Sequence, residues 1–150
     1  MSITVRPAAE ADSEAIWTWR NDPVTRAVSV HTGEVSWADH QRWFAAVLAD
    51  PDRHLLVGSV ADEPVGVVRF DRLAGPGQWE VSLNLAPTAR GQGLAVPLLD
   101  AGRDWLAARE GSVEVVALVR DDNAASQRTF RRAGYVEKST ADGWTTLVHA

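Results

Sequence analysis

The sequence predicts a single α/β domain, residues 1–150, built on a mixed, mostly antiparallel sheet. Three observations carry that reading. The apolar period changes at His54, where three closely spaced strand-like segments run to Leu85. It is three and four along the segments that precede and follow them. A Gly-rich turn then leads the last of those three segments into a long helix, where a meander would continue with another hairpin. The order that results is β-α-α-β-β-β-α-β-α-β-β, with no repeat, low-complexity tract or linker to divide it.

Ile3 to Arg6 alternates apolar and polar residues, the pattern of a first strand. Asp12 is placed to cap a helix through Ala15, Ile16 and Trp19, which Asn21-Asp22-Pro23 ends. A loop runs from Asn21 to about Val35, long enough to mark a functional segment. Ser36 caps a second helix, whose Trp37, His40, Trp43, Phe44 and Val47 share one face. His54 to Ala61 and Val65 to Phe70 are strands about a turn at Asp62-Glu63-Pro64, and Ala74-Gly75-Pro76-Gly77 turns the chain into Trp79 to Leu85. The next helix runs to about Arg109, with Pro97 in its first turns, where a missing N–H costs little. A strand from Val113 to Val119, a helix from Asn123 to Ala133 and strands at Tyr135 to Lys138 and Trp144 to Val148 complete the chain.

Composition narrows the function. A net charge of -5 disfavours nucleic acid and anionic membranes as partners, since both need a basic face. Without cysteine there is no disulfide framework and no thiolate nucleophile. His31, His40, His54 and His149 lack metal-ligand spacing, so no metal is expected. His40 reads as a packing residue, and His31 in the long loop as a second candidate base. No apolar leader or membrane-spanning stretch appears, and the expected compartment is the cytoplasm. Seven Trp, each needing a partner for its indole N–H when hidden, point to an aromatic cleft or interface, and aromatic surface favours a homodimer.

The most informative stretch is Leu83-Asn84-Leu85-Ala86-Pro87-Thr88-Ala89-Arg90-Gly91-Gln92-Gly93-Leu94-Ala95. Strand, turn and helix start bring unpaired backbone N–H groups and the positive end of a helix to one point, and small residues let an anion come close. Pyrophosphate suits such a turn, although glycines at an ordinary helix entry would look the same. The stretch has neither the Gly-Lys-Ser/Thr of a Walker A loop nor the setting of a Rossmann fingerprint.

Arg90-Gly91-Gln92-Gly93-Leu94-Ala95 resembles the Arg/Gln-x-x-Gly-x-Gly/Ala signature of the GNAT acyl-CoA N-acyltransferases. Downstream, Asn123-Ala124-Ala125-Ser126, Phe130 and Gly134-Tyr135 resemble that family's second element, in the same order and on the same secondary structure. The resemblance implies a GNAT-like sheet split between strands 4 and 5 and flanked by four helices, with acetyl-CoA as co-substrate in the split. By the same likeness, backbone groups of Leu83 and Leu85 pair with pantetheine, and Arg90 with the amides of Gly91, Gln92, Gly93, Leu94 and Ala95 forms the pyrophosphate site. Asn123 touches the CoA arm, with Phe130 beside it.

Acetyl transfer to an amine needs a base, a donor for the oxyanion and relief for the departing thiolate. Glu80 is the candidate base, and alternation puts it on one strand face with Ser82 and Asn84, opposite Trp79, Val81 and Leu83. A half-buried setting beside an indole would raise its pKa. The oxyanion is met most simply by a backbone N–H at a bulge near Leu85. Phe130 occupies the position at which many members of the family carry a tyrosine general acid, and Ser126, on its helix face, is a candidate for holding a water there, with helix capping or contact with CoA as the alternative roles.

Trp19-Arg20-Asn21-Asp22-Pro23, followed by Ser36-Trp37 and His40-x-x-Trp43-Phe44, resembles the GNAT branch that acetylates amino groups of nucleotide-linked sugars, a neighbour of the ribosomal-protein N-terminal acetyltransferases. The resemblance implies that Trp19, Arg20 and Asn21 meet the acceptor: indoles stack on sugar or base, and Arg20 bridges a diphosphate. The expected activity is acetyl-CoA-dependent N-acetylation of a small-molecule amine. A protein N-terminus, an antibiotic, or a silent acyl-CoA-binding role stand as alternatives.

Overall fold

The computed structural model describes residues 2–28 and 32–150. His31, the second candidate base, lies outside the described residues. The chain forms β1 (Thr4–Pro7), α1 (Ser13–Arg20), α2 (Pro23–Val28), α3 (Trp37–Ala49), β2 (Arg53–Val60), β3 (Glu63–Arg72), β4 (Gln78–Leu85), α4 (Ala95–Glu110), β5 (Glu114–Arg120), α5 (Ala124–Arg132), β6 (Val136–Ala141) and β7 (Trp144–His149). The strands lie in one sheet in the order β1-β2-β3-β4-β5-β7-β6. Only β4 and β5 run parallel.

Alternation sorts the side chains to two faces. Leu56, Val68, Phe70, Trp79, Val115 and Leu147 lie on the face covered by Leu98, Leu99 and Leu106 of α4 and Phe130 of α5. Leu55, Val57 and Val67 point the other way, against Ile16 of α1 and Phe44 and Val47 of α3. Each of these fully buried aliphatic and aromatic side chains contributes roughly 1.5–3 kcal/mol of transfer free energy. The two layers therefore hold the meander rigid from both sides and fix where its polar residues emerge.

Four readings need correction. The long loop contains a fifth helix, α2, because the Asp22 carboxylate accepts from the N–H groups of Val24 (3.1 Å) and Thr25 (3.2 Å) with Pro23 at the first helical position. Asp12 precedes α1 but its side chain does not cap it. Arg6 holds that carboxylate at 2.8 and 2.9 Å, and it accepts from the Ala9 N–H instead. The turn between β2 and β3 is Ala61-Asp62, both with positive φ, so Glu63 and Pro64 already belong to β3. β4 shows no bulge near Leu85: its register with β3 runs unshifted from Trp79 to Leu85.

Candidate active site

The sheet opens in its middle. β4 pairs with β5 from Gln78 opposite Glu114 to Val81 opposite Ala117, and no further. β4 nevertheless continues on β3 to Leu85, and β5 continues on β7 to Arg120. The Ala86 N–H donates to the Val65 carbonyl, toward β3, while the Gly77 carbonyl accepts from Glu114, toward β5. Because backbone groups alternate sides along a strand, those of Leu83 and Leu85 face the split.

The chain then enters the glycine turn. Gly91 and Gly93 have φ of 74° and 71°, a region that glycine occupies without the cost other residues incur. Leu94 anchors the turn, buried with Ala86 and Ala89. Among the described residues, no group accepts from the N–H groups of Gly91, Gln92, Gly93, Leu94 or Ala95. The Gln92 side chain folds back onto the Thr88 carbonyl at 2.9 Å. Five donors unpaired among the described residues, at the start of a 16-residue helix, could hold an anion. The Arg90 side chain turns elsewhere: it ion-pairs with Asp22 at 2.8 Å and donates to the Thr25 hydroxyl, which itself donates to Asn84 of β4. The first turn of α2 is thereby tied to the strand and to the turn.

Glu80 shares a face with Ser82 and Asn84, cross-strand from Asp71, Arg69 and Val67 in turn. Its side chain forms no hydrogen bond or ion pair with the described residues. Burial pushes its carboxyl above the ordinary carboxylate range; the Asp71 carboxylate opposite adds to the rise and Arg69 opposes it. The neighbouring indole, Trp79, lies on the far face and is fully buried. A charged neighbour therefore replaces the indole as the second cause of the rise.

On the far side of the split, Asn123 caps α5, accepting from the Ser126 N–H at 3.2 Å. Phe130 is buried in the core, edge-on to Tyr135. Its ring has no proton to give a thiolate, and burial pushes up the pKa of the Tyr135 hydroxyl, which has no hydrogen-bond partner among the described residues. Neither aromatic residue serves as an accessible acid.

The three residues expected to meet the acceptor have distinct settings. Trp19 is half-buried against the α1/α3 core. Asn21 is committed to the backbone of Val35, donating to its carbonyl and accepting from its N–H, both at 2.8 Å, so it pins the return of the loop. Arg20 stacks over Trp43 at 4.3 Å and donates to His40 Nδ1 at 3.1 Å. Because the guanidinium is always a donor, His40 carries its proton on Nε2 and gives it to the Ser13 hydroxyl. His40 is fully buried, and burial followed by the Arg20 charge lowers its pKa, so it stays neutral as a packing residue. Of the seven indoles, Trp37 is the most open, about two-fifths exposed, and the other six are half-buried or buried.

Sequence reading missed Arg69 and Asp71. The four-residue turn between Leu73 and Gln78, closed by the Leu73 N–H on the Gln78 carbonyl, sets the register that puts Arg69 beside Ser82 and Asp71 beside Glu80. Among the described residues no cluster of His, Asp or Glu could hold a metal, and no helix is long and apolar enough to cross a membrane.

Residues 2–136 match the model of the acetyltransferase (GNAT) domain. The fold is similar to spermidine N-acetyltransferase from Vibrio cholerae in complex with CoA and spermine, with a TM-score of 0.88 at 16% identity over 99% of this chain and 95% of that one. It is similar to aminoglycoside acetyltransferase AAC(6')-Ib in complex with coenzyme A, at 0.85 and 21% over 99% and 94%. It is also similar to yncA from Salmonella typhimurium with its cofactor acetyl-CoA, at 0.78 and 24% over 99% and 94%.

Proposed function

The chain belongs to the acetyltransferase (GNAT) domain family, and on that premise we propose that it moves the acetyl group of acetyl-CoA to the primary amine of a small molecule by direct attack in a ternary complex. The observation that carries the reading is the alignment along β4 and the turn that follows it: a half-buried carboxyl at Glu80, open backbone edges at Leu83 and Leu85, then five N–H groups from Gly91 to Ala95 that are unpaired among the described residues. Base, pantetheine rail and pyrophosphate site follow in the order in which a CoA thioester presents its parts.

The acceptor enters as an ammonium and gives a proton to Glu80, directly or through a water. Its nitrogen attacks the thioester carbonyl, the C–N bond forms, and the oxyanion takes a hydrogen bond from a backbone N–H on the open edge of β4. Collapse breaks the C–S bond. The thiolate leaves without an acid from position 130; a thiol with a pKa of about 8.5 tolerates this, and the extra proton still on the amine nitrogen passes to it through a water held by Ser126, leaving a neutral amide and free CoA thiol. Pyrophosphate rests on the amides of Gly91 to Ala95, and Asn123 borders the CoA arm. Arg90 serves the site indirectly, by tying the turn to Asp22.

For the acceptor, the run Trp19-Arg20-Asn21-Asp22-Pro23 supports an amino-sugar nucleotide, and the net charge of -5 supports a small cytoplasmic molecule over nucleic acid or membrane. The test is release of free CoA thiol from acetyl-CoA with a panel of amino sugars and their nucleotides against a panel of N-terminal peptides and aminoglycosides. Release above the hydrolytic background with an amino sugar or its nucleotide supports the reading. Release only with peptides moves the acceptor to protein N-termini, and release with no amine leaves a silent CoA-binding module.

A further inference from the structure

On the acceptor side, three guanidinium groups surround one indole. Arg20, Arg53 and Arg69 lie 4.3, 5.9 and 5.5 Å from the Trp43 ring centroid. Asp71 answers two of them, accepting from Arg53 Nε at 2.9 Å and from Arg69 Nε at 3.0 Å. Arg20 has no carboxylate within ion-pair distance among the described residues; its one hydrogen-bond partner is the neutral ring of His40. It is nevertheless half-buried, and burial and the nearby Arg69 both disfavour its charge. A partly desolvated cation without a counter-ion is unfavourable unless something supplies the anion. Its remaining N–H groups are not sealed in the interior, so that anion can come from outside.

We propose that Arg20 and Arg69 form a clamp for an anionic group, phosphate or carboxylate, carried by the acceptor itself, with the acceptor amine directed to Glu80. Arg69 links the two ends: it borders Arg20 across Trp43, donates to Ser82 at 3.4 Å, and stands one cross-strand pair from Glu80. The clamp rests on the acetyl-transfer reading and narrows it. It selects amines that bear a negative charge and repels polycations, unlike the spermine and aminoglycosides named with the structural neighbours. A planar guanidinium offering paired donors suits both oxyanion types, and Trp43 beneath it supplies a flat, rigid floor.

The experiment is calorimetry on the CoA-saturated protein, so that the glycine turn is already filled, with pyrophosphate and malonate as the two probes. We expect at least one to bind, pyrophosphate pointing to phosphate-bearing acceptors and malonate to carboxylate-bearing ones. Arg20→Gln and Arg69→Gln should each weaken it by roughly tenfold or more, the loss of a charge-assisted pair, and Arg20→Lys should recover part of the loss. Melting curves check that each variant is folded; because Arg20 also supports His40, Arg69→Gln decides if Arg20→Gln does not fold. Absence of binding by both probes, or binding unchanged in the folded variants, overturns the clamp. Failure of CoA itself to bind removes the acetyl-transfer reading and the clamp with it.

Discussion

Replacing Glu80 by Gln keeps the shape of the side chain and removes its basicity. A positioned base contributes about 10²–10⁴ in rate. The lower end applies here, because Glu80 is only half-buried and water can take part of the work. The expected loss in kcat is about a hundredfold, or about 2.7 kcal/mol of barrier. Acetyl-CoA affinity should stay near normal, since the open edges at Leu83 and Leu85 and the amides of Gly91 to Ala95 lie beyond the substitution. The pH profile gives a second readout. The base acts only when ionised, so kcat/KM should rise with pH through a midpoint above the ordinary carboxylate range, with burial the leading cause. Glu80→Gln should flatten that limb. Asp71→Asn, which removes the facing negative charge, should move it to lower pH. Initial rates by thiol release and acetyl-CoA affinity by calorimetry measure both quantities. Unchanged turnover in Glu80→Gln, or equal loss of turnover and cofactor affinity, would refute the assignment of Glu80 as base.

Three further predictions test the surrounding structure. Gly93→Ala places a Cβ where nothing lies within 4 Å, so its cost is conformational and falls on the fold: stability should drop by about 1 kcal/mol in denaturant melts for the left-handed backbone, with acetyl-CoA affinity by calorimetry near normal. Asn21→Ala removes both bonds to Val35 and should lower stability by about 1–3 kcal/mol in denaturant melts. Phe130→Tyr restores the tyrosine common at that position but buries a hydroxyl in the core, so kcat should not rise while stability falls by about 1–3 kcal/mol.

Several elements were legible in advance: β2 and β3 are short apolar runs bounded by turn residues, β4 alternates from Gln78 to Val81, and α3 carries its cap and apolar face in plain view. The glycine turn was legible as well, since Gly91 and Gly93 stand where the backbone takes positive φ. Helix α2 was not, because Pro-Val-Thr-Arg-Ala-Val has no apolar stripe and forms on a cap supplied by Asp22. The Ala61-Asp62 turn was missed because alanine is a poor signal for a left-handed residue, and the adjacent Pro64 drew attention one step too far along the chain. The strand face of Glu80 was legible from alternation, but the placement of Arg69 and Asp71 beside it and the stacking of Arg20 on Trp43 depend on register and on the approach of α1 and α3 to the sheet. Those are tertiary facts that spacing along one chain does not encode.

The most direct test of the central claim, that this split and turn hold acetyl-CoA, is a thermal shift with acetyl-CoA, free CoA and an unrelated nucleotide as control. At a ligand concentration about a hundredfold above its dissociation constant, binding stabilises by ~2.7 kcal/mol, which for a chain of this size raises Tm by roughly 5–10 °C. A shift of that size with both CoA species and none with the control is the predicted result. No shift with either CoA species would contradict the account and reduce the glycine turn to an ordinary helix entry.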